Sequence, residues 1–262
     1  MNDNELALFL ADATGKRLLQ MREGAAVDPL DLAAVQSLEK SADAQANEFL
    51  IDQLAQLRPD DAVLSEESPD SSARLSAERV WIIDPVDGSK EFARSKPEFA
   101  VHVALWERGE LKVGAVAIPN HDVVWTTADV VQTSNAQRLD RPLVIATSNR
   151  EPQQNVELLE RHMAKYAEKH GYPGAAILHC GSVGGKVHQL LSGVADVYAS
   201  SVGFYEWDSA APTVVATHHG LAVCDFDGNA LVFNKMPPRT ESFIVTHPWL
   251  QQTVLRAVQD FS

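Results

Sequence analysis

The chain has 262 residues and 45% hydrophobic content, enough for a substantial core, and its 36 Asp plus Glu against 22 Lys plus Arg give a formal net charge of -14. That charge argues against nucleic-acid polymers and membranes as partners, since its far field repels polyanions and anionic lipid. No signal-like leader or membrane-length apolar run is present, and Cys180 and Cys224 fit neither a disulfide framework nor a zinc site, so a cytoplasmic protein with reduced thiols is expected.

Leu6, Phe9, Leu10 and Ala13 recur at helical spacing, and a second long helix is predicted from about Pro29 to Leu57, stopped by Arg58-Pro59. The texture then turns to short strands at Ala62 to Leu64, Val80 to Ile83, Phe99 to Trp106, Leu111 to Ile118 and Val123 to Thr126, with Arg108-Gly109-Glu110 closing a hairpin. Val101, Val103 and Leu105 alternate only weakly with His102 and Ala104, which predicts a sheet covered on both faces. From Arg141 strands and helices alternate: Leu143 to Ala146, Asn155 to Lys169, Ala175 to Leu178, Val183 to Leu191 and Asp196 to Tyr198. A helix near Asp208 to His218, strands at Leu221 to Cys224 and Ser242 to Val245, and a helix from Pro248 complete the pattern. The polar stretch around Thr133 to Asp140 is the expected boundary between an N-terminal α+β half, residues 1–140, and a C-terminal α/β half, residues 141–262.

The most informative stretch is Trp81-Ile82-Ile83-Asp84-Pro85-Val86-Asp87-Gly88-Ser89. Pro85 lacks an N–H for the ladder and is expected to end the strand, so that Asp84 and Asp87 emerge at its end with the Val86 carbonyl freed from sheet pairing. Oxygen-only donors of this kind suit Mg²⁺. Gly88 lets backbone approach a ligand, and the N–H groups of Gly88 and Ser89 would cradle a phosphate if a helix starts here. The competing reading is an ordinary turn, for which Asp, Pro and Gly are the usual residues.

Glu66-Glu67 follows another short strand, and Asp208 stands where a small-residue helix begins, each readable alone as a solvated pair and as an N-cap. Should Glu66, Asp84, Asp87 and Asp208 converge, each like-charged pair at ~4 Å repels by about 4 kcal/mol at an effective dielectric near 20. Such a cluster calls for cations or protons, and divalent cations would also attract an anionic phosphate. His102, His179 and His218-His219 are read as background, Trp81 and Trp207 as core anchors, and Cys180 as a small hydrophobe.

Glu66-Glu67, Asp-Pro-x-Asp-Gly-Ser at 84–89 and Trp-Asp-x-Ala-Ala-Pro at 207–212, in this order across most of the chain, resemble the lithium-sensitive, magnesium-dependent phosphatase superfamily of inositol monophosphatases, fructose-1,6-bisphosphatases and bisphosphate nucleotidases. The resemblance implies a layered αβαβα sandwich of α+β class and about two to three Mg²⁺ per active site. It assigns Glu66, Asp84 and the Val86 carbonyl to one metal and Asp84, Asp87 and Asp208 to another, with Glu67 assisting. It also implies that the attacking water is aimed by Glu66 together with a Ser89 hydroxyl paired with an upstream aspartate, for which Asp43 is the candidate.

Three further stretches resemble the CysQ-type 3′(2′),5′-bisphosphate nucleotidases: Lys90-Glu91-Phe92, Gly181-Ser182-Val-Gly-Gly-Lys186 and Asp225-x-x-Gly228-x-x-Leu231-x-Phe233-x-Lys235. By that resemblance Asp87, Gly88, Ser89, Lys90, Ser182, Lys186 and Asp208 contact substrate. Inositol-specific members carry a glutamate seven positions before the Trp-Asp aspartate, where this chain has Ser201. The implied reaction is hydrolysis of the 3′-phosphate of adenosine 3′,5′-bisphosphate, and of its phosphosulfate form, linked to sulfate assimilation. Inositol-1-phosphate or fructose-1,6-bisphosphate hydrolysis is the alternative reading, and a catalytically silent metal-binding homologue a third. The partners implied are a small phosphorylated substrate and, for a dimer rather than a monomer, a second copy of the chain.

Overall fold

The computed structural model describes residues 1–130 and 138–261. Two long helices, α1 (Asp3–Ala25) and α2 (Leu32–Leu57), open the chain. The first is closed by a capping box in which Asn2 and Glu5 satisfy each other's backbone N–H groups. α2 begins three residues later than Pro29, because Asp31 accepts from the N–H groups of Ala33 and Ala34 and so caps the helix there. Phe9 does not join the core. Leu6, Ala7, Leu10 and Ala11 face inward, and Phe9 lies exposed with an edge toward Phe49.

The first sheet contains β1 (Ala62–Ser65), β2 (Arg79–Asp87), β3 (Ala100–Glu107), β4 (Glu110–Ile118) and β5 (Val123–Thr126) in that spatial order, with β1 parallel to β2 and the rest antiparallel. A short helix, α3 (Ser89–Ala93), follows β2. The second sheet has the order β10-β12-β8-β6-β7, built from β6 (Leu143–Thr147), β7 (Ala175–His179), β8 (Val197–Ser200), β10 (Ala222–Cys224) and β12 (Phe243–Thr246). The helices of this half are α4 (Gln153–His170), α5 (Val183–Leu191), α6 (Glu206–His218) and α7 (Gln251–Val258). A two-stranded pair, β9 (Phe204–Tyr205) with β11 (Arg239–Thr240), was not foreseen; each strand is too short to show a period. The closing helix starts at Gln251, after a turn, rather than at Pro248.

Side-chain parity makes five layers. Trp81, Ile83, Val101, Val103 and Leu105 pack against α1 and α2, while Val80, Ile82, Ala100 and Ala104 from the opposite face pack with α5 and α6. The same middle layer covers Tyr198, Phe243 and Val245 of the second sheet, whose other face (Ile145, Val197, Ala199, Ile244) packs with α4 and α7. The weak alternation in β3 thus reflects a sheet buried on both sides, an αβαβα arrangement. The α5/α6 layer is shared by both halves of the chain. The boundary expected around Thr133 to Asp140 lies mostly outside the described residues. No helix among the described residues is long and apolar enough to cross a membrane.

Candidate active site

Pro85 does not end β2. The strand continues to Asp87, with the register shifting between Asp84, opposite His102, and Asp87, opposite Ala100. The intervening Pro85 and Val86 have no partners in the register, so the missing proline N–H falls where the ladder makes no demand for it. This bulge turns both aspartates toward one side, as the expected kink was meant to do, and the Val86 N–H folds back onto Asp84 Oδ1 at 3.0 Å.

Parallel pairing of β1 with β2 sets Ser65 beside Ile83, so Glu66 and Glu67 leave the sheet at the same edge as Asp84. Their turn is tied to α2: Ser65 Oγ donates to Asn47 Oδ1 at 2.7 Å and accepts the Glu67 N–H at 3.3 Å. Asp208 arrives from the other side in the first turn of α6. It is not the N-cap but the third helical residue, and Oδ2 accepts the Tyr205 N–H at 2.9 Å. A carboxylate there is favoured by the helix dipole.

Ligand-capable oxygens of Asp84, Asp87 and Asp208 all lie within 4.8 Å of one another. Glu66 stands outside this triangle but in the same cleft, of about 450 Å³, which Glu39, Asp43, Glu67 and Val86 also line. A larger groove of about 640 Å³ between α1 and α2 gathers no comparable set of carboxylates.

The electrostatics follow. Burial, then Glu66, Asp87 and Asp208, raise the Asp84 carboxyl well above the usual carboxylate range. Its Oδ2 is buried without a hydrogen-bond partner among the described residues. Asp87 goes the other way: burial raises it, but His102, Lys186 and the Gly184 N–H together hold it below the ordinary value. Burial and the Asp87 charge push Asp208 up to about 6. Burial and the charges of Asp208, Glu67, Asp87 and Asp43 push Glu66 to about 7. An orphaned buried oxygen, an all-oxygen donor set and mutual repulsion among acids are what a divalent cation relieves, so the residues fit one.

Gly88, at φ 87°, caps α3, so a helix does begin at Ser89 as the phosphate cradle requires. Ser89 Oγ donates to Glu39 Oε1 at 3.3 Å, and the expected Ser89-Asp43 pair is not formed. Asp43 lies one turn further along α2, in the same cleft, with its carboxyl raised to about 7 by burial and by Glu67 and Glu39. Ser182 and Lys186 are engaged in local structure. Ser182 Oγ caps α5 through the Gly185 N–H at 2.7 Å, and Lys186 Nζ donates to the carbonyls of Cys180, Gly181 and Ser182 at 3.2, 3.3 and 2.6 Å. Lys90 lines the cleft and is exposed.

His102, a background residue by sequence, is fully buried at the centre. Its Nδ1 lies 3.2 Å from the Trp207 carbonyl and so carries a proton there, while Nε2 comes within 3.2 Å of Asp87 Oδ2 without hydrogen-bond alignment. The same Asp87 oxygen accepts the Gly184 N–H at 2.7 Å. His102 thereby spans from α6 to β2, and only its place one residue from the middle of a doubly buried strand hinted at this. A Cβ on Gly184 would stand 2.4 Å from His102 Nε2 and 2.7 Å from Ala100 Cβ. Gly184→Ala is expected to destabilise the fold by about 1–3 kcal/mol, lowering Tm by about 2–12 °C in a thermal melt. An unchanged Tm would mean that this packing is looser than described.

Two sheets and central helices that converge on three carboxylates, two buried and one half-buried, define a class: layered α/β proteins with an acidic centre suited to divalent cations. The chain belongs to the inositol monophosphatase family, whose model matches residues 8–261 of this chain. It is 34% identical over 253 residues to a 3′-phosphoadenosine 5′-phosphate phosphatase of Mycobacterium bovis, covering 94% of this chain and 89% of the relative. With a 3′(2′),5′-bisphosphate nucleotidase CysQ of Escherichia coli O157:H7 the identity is 30%, over 90% of this chain and 94% of the relative. CysQ from Bacteroides thetaiotaomicron shares the fold, with a TM-score of 0.73 and 22% identity over 94% of this chain and 97% of that one.

Proposed function

We propose that the protein is a Mg²⁺-dependent phosphomonoesterase that hydrolyses the 3′-phosphate of adenosine 3′,5′-bisphosphate, giving adenosine 5′-phosphate and inorganic phosphate. The phosphosulfate analogue is a second substrate. The Asp84-Asp87-Asp208 cluster carries the phosphatase reading, and the relatives described as phosphatases of this nucleotide carry the choice of substrate.

In this reading Asp84, Asp87, Asp208, Glu66 and the Val86 carbonyl hold the metal ions, and Glu67 supports them from the turn. Bound there, Mg²⁺ neutralises phosphate oxygens and lowers the pKa of water. The chain's own groups do the remaining work. The N–H groups of Gly88 and Ser89 orient the transferred phosphate. Glu39 and Asp43 on α2, with Asp43 near 7, provide the proton acceptor for the attacking water, and the Ser89 hydroxyl is oriented by Glu39. The new bond is water oxygen to phosphorus and the broken one is phosphorus to the ribose 3′ oxygen; one water proton leaves toward α2, the other stays on the phosphate, and the ribose 3′ oxygen takes up a proton from solvent as it departs.

Ser201 supports the nucleotide over inositol. Its hydroxyl donates to Glu151 at 2.6 Å, so the position where inositol-specific members carry a glutamate is tied into an internal network. With saturating Mg²⁺, kcat/KM on adenosine 3′,5′-bisphosphate is expected to exceed that on inositol-1-phosphate and fructose-1,6-bisphosphate by at least about tenfold. Phosphate-release assays across the three substrates decide this, and equal or higher efficiency on inositol-1-phosphate overturns it.

A further inference from the structure

The second sheet contains a topological switch. From β6 the chain crosses through α4 to β7 on one side, then returns through α5 to β8 on the other, both parallel to β6. Connections departing in opposite directions leave a crevice at the carboxyl ends of the strands, where open α/β sheets receive ligands. These ends place Arg150 after β6, Gly181 after β7, Ser200 at the end of β8 and Gly203 after it along the carboxylate cleft.

The cations of this crevice are not equivalent. Lys186 is buried, and each of its three donors has a backbone carbonyl to meet. Arg150 is exposed, lines the cleft, and its guanidinium has no hydrogen-bond or ion-pair partner among the described residues. The adjacent carboxylate is no competitor. Glu151 is buried and accepts from Ser200 Oγ at 2.7 Å, from Ser201 Oγ at 2.6 Å and from the Ser201 N–H at 3.1 Å. That network ties the loop after β6 to the loop after β8 and so holds the backbone that presents Arg150. The arginine's charge is felt across the cleft at Asp208 and at Lys186.

We propose that Arg150 is the specificity-determining residue of the site and binds the phosphate that is not hydrolysed, the 5′-phosphate of the nucleotide, through a two-pronged guanidinium contact. The assignment rests on the nucleotide reading above. A guanidinium offers paired, planar N–H donors that match two phosphate oxygens, which an ammonium cannot do. Carboxylates dominate the cleft, and its other exposed cation, Lys90, follows Ser89 at the phosphate cradle, so Arg150 on the loop after β6 gives a doubly charged substrate one orientation, with the second phosphate at Arg150 and the first at the acidic centre. Lys186, in this arrangement, builds the loop that frames the crevice rather than touching the substrate.

Steady-state kinetics of wild type, Arg150→Ala and Arg150→Lys on adenosine 3′,5′-bisphosphate and on adenosine 3′-phosphate test this, since the two substrates differ only in the second phosphate. Arg150→Ala is expected to raise KM for the bisphosphate about 10- to 100-fold, the loss of a charged hydrogen-bonded pair. KM for the monophosphate should change less than about twofold, and kcat should persist on both. Arg150→Lys, which keeps the charge and loses the fork, should fall between. An equal rise on both substrates, or none on either, overturns the role of Arg150 while leaving the nucleotide reading intact. A wild type that prefers neither nucleotide over inositol-1-phosphate, or treats both nucleotides alike, overturns that reading itself and the Arg150 role with it.

Discussion

Asp84→Asn is expected to lower kcat/KM on the preferred substrate about 10³-fold or more, equivalent to about 4 kcal/mol of barrier, and to abolish Mg²⁺ binding in calorimetry. Asn has the same shape, and its Oδ1 can still accept the Val86 N–H that Asp84 holds at 3.0 Å. What it removes is the charge on Oδ2, the buried oxygen with no partner among the described residues, at the point where Glu66, Asp87 and Asp208 all raise the cost of ionisation. The same substitution relieves like-charge repulsion, so the metal-free variant should melt no lower than the metal-free wild type. A residue kept for stability would show the opposite pairing, a lowered Tm with activity retained. Activity within tenfold of wild type would remove Asp84 from the metal-binding set.

The second large effect is a linkage between pH, metal and stability. Asp43 and Glu66 sit near 7 and Asp208 near 6 in the fold, above their ordinary values of 3.8, 4.5 and 3.8. Between about pH 4 and 7 the folded state therefore retains protons that the unfolded chain has released. Stability from these groups is full below the ordinary carboxyl range, falls as pH rises through about 6 to 7, and is flat above. Metal-free protein should thus melt lower at pH 8 than at pH 5.5. Mg²⁺ replaces those protons, and at 100 times its Kd contributes about 2.7 kcal/mol per site. That corresponds to a Tm rise of about 5–10 °C at pH 8 and a smaller one at pH 5.5, where protons compete. Calorimetry in buffers of different ionisation enthalpy should register proton release on binding. Equal Mg²⁺ shifts at both pH values would mean that Glu66 and Asp208 are not ligands.

Neighbouring cases show where sequence reading stops. Asp31 and Pro29 are both helix-start residues, and only the hydrogen bonds from Ala33 and Ala34 choose between them. Glu39 and Asp43 lie four residues apart on one face of α2, both able to accept from a serine hydroxyl. The choice of Glu39 by Ser89 depends on how α2 docks against α3, a packing angle no local pattern encodes. His102 is similar, because one buried histidine in a strand resembles any other until α6 is laid across it.

The amino-acid sequence by itself determined the carboxylate inventory, the strand-to-glycine motif at Asp84 to Ser89, the doubly covered first sheet and the order of nearly every element. These follow from short-range causes: periodicity, caps and the backbone limits of proline and glycine. Only the tertiary structure decided that Pro85 sits inside β2 at a bulge, that Lys186 is bound to its own loop, and that Arg150 stands unpaired, among the described residues, on the loop after β6, the strand between β7 and β8. Each of those outcomes depends on strand register or on contacts between residues far apart in the chain, and a buried donor or charge takes its role from whichever partners the packing brings within reach.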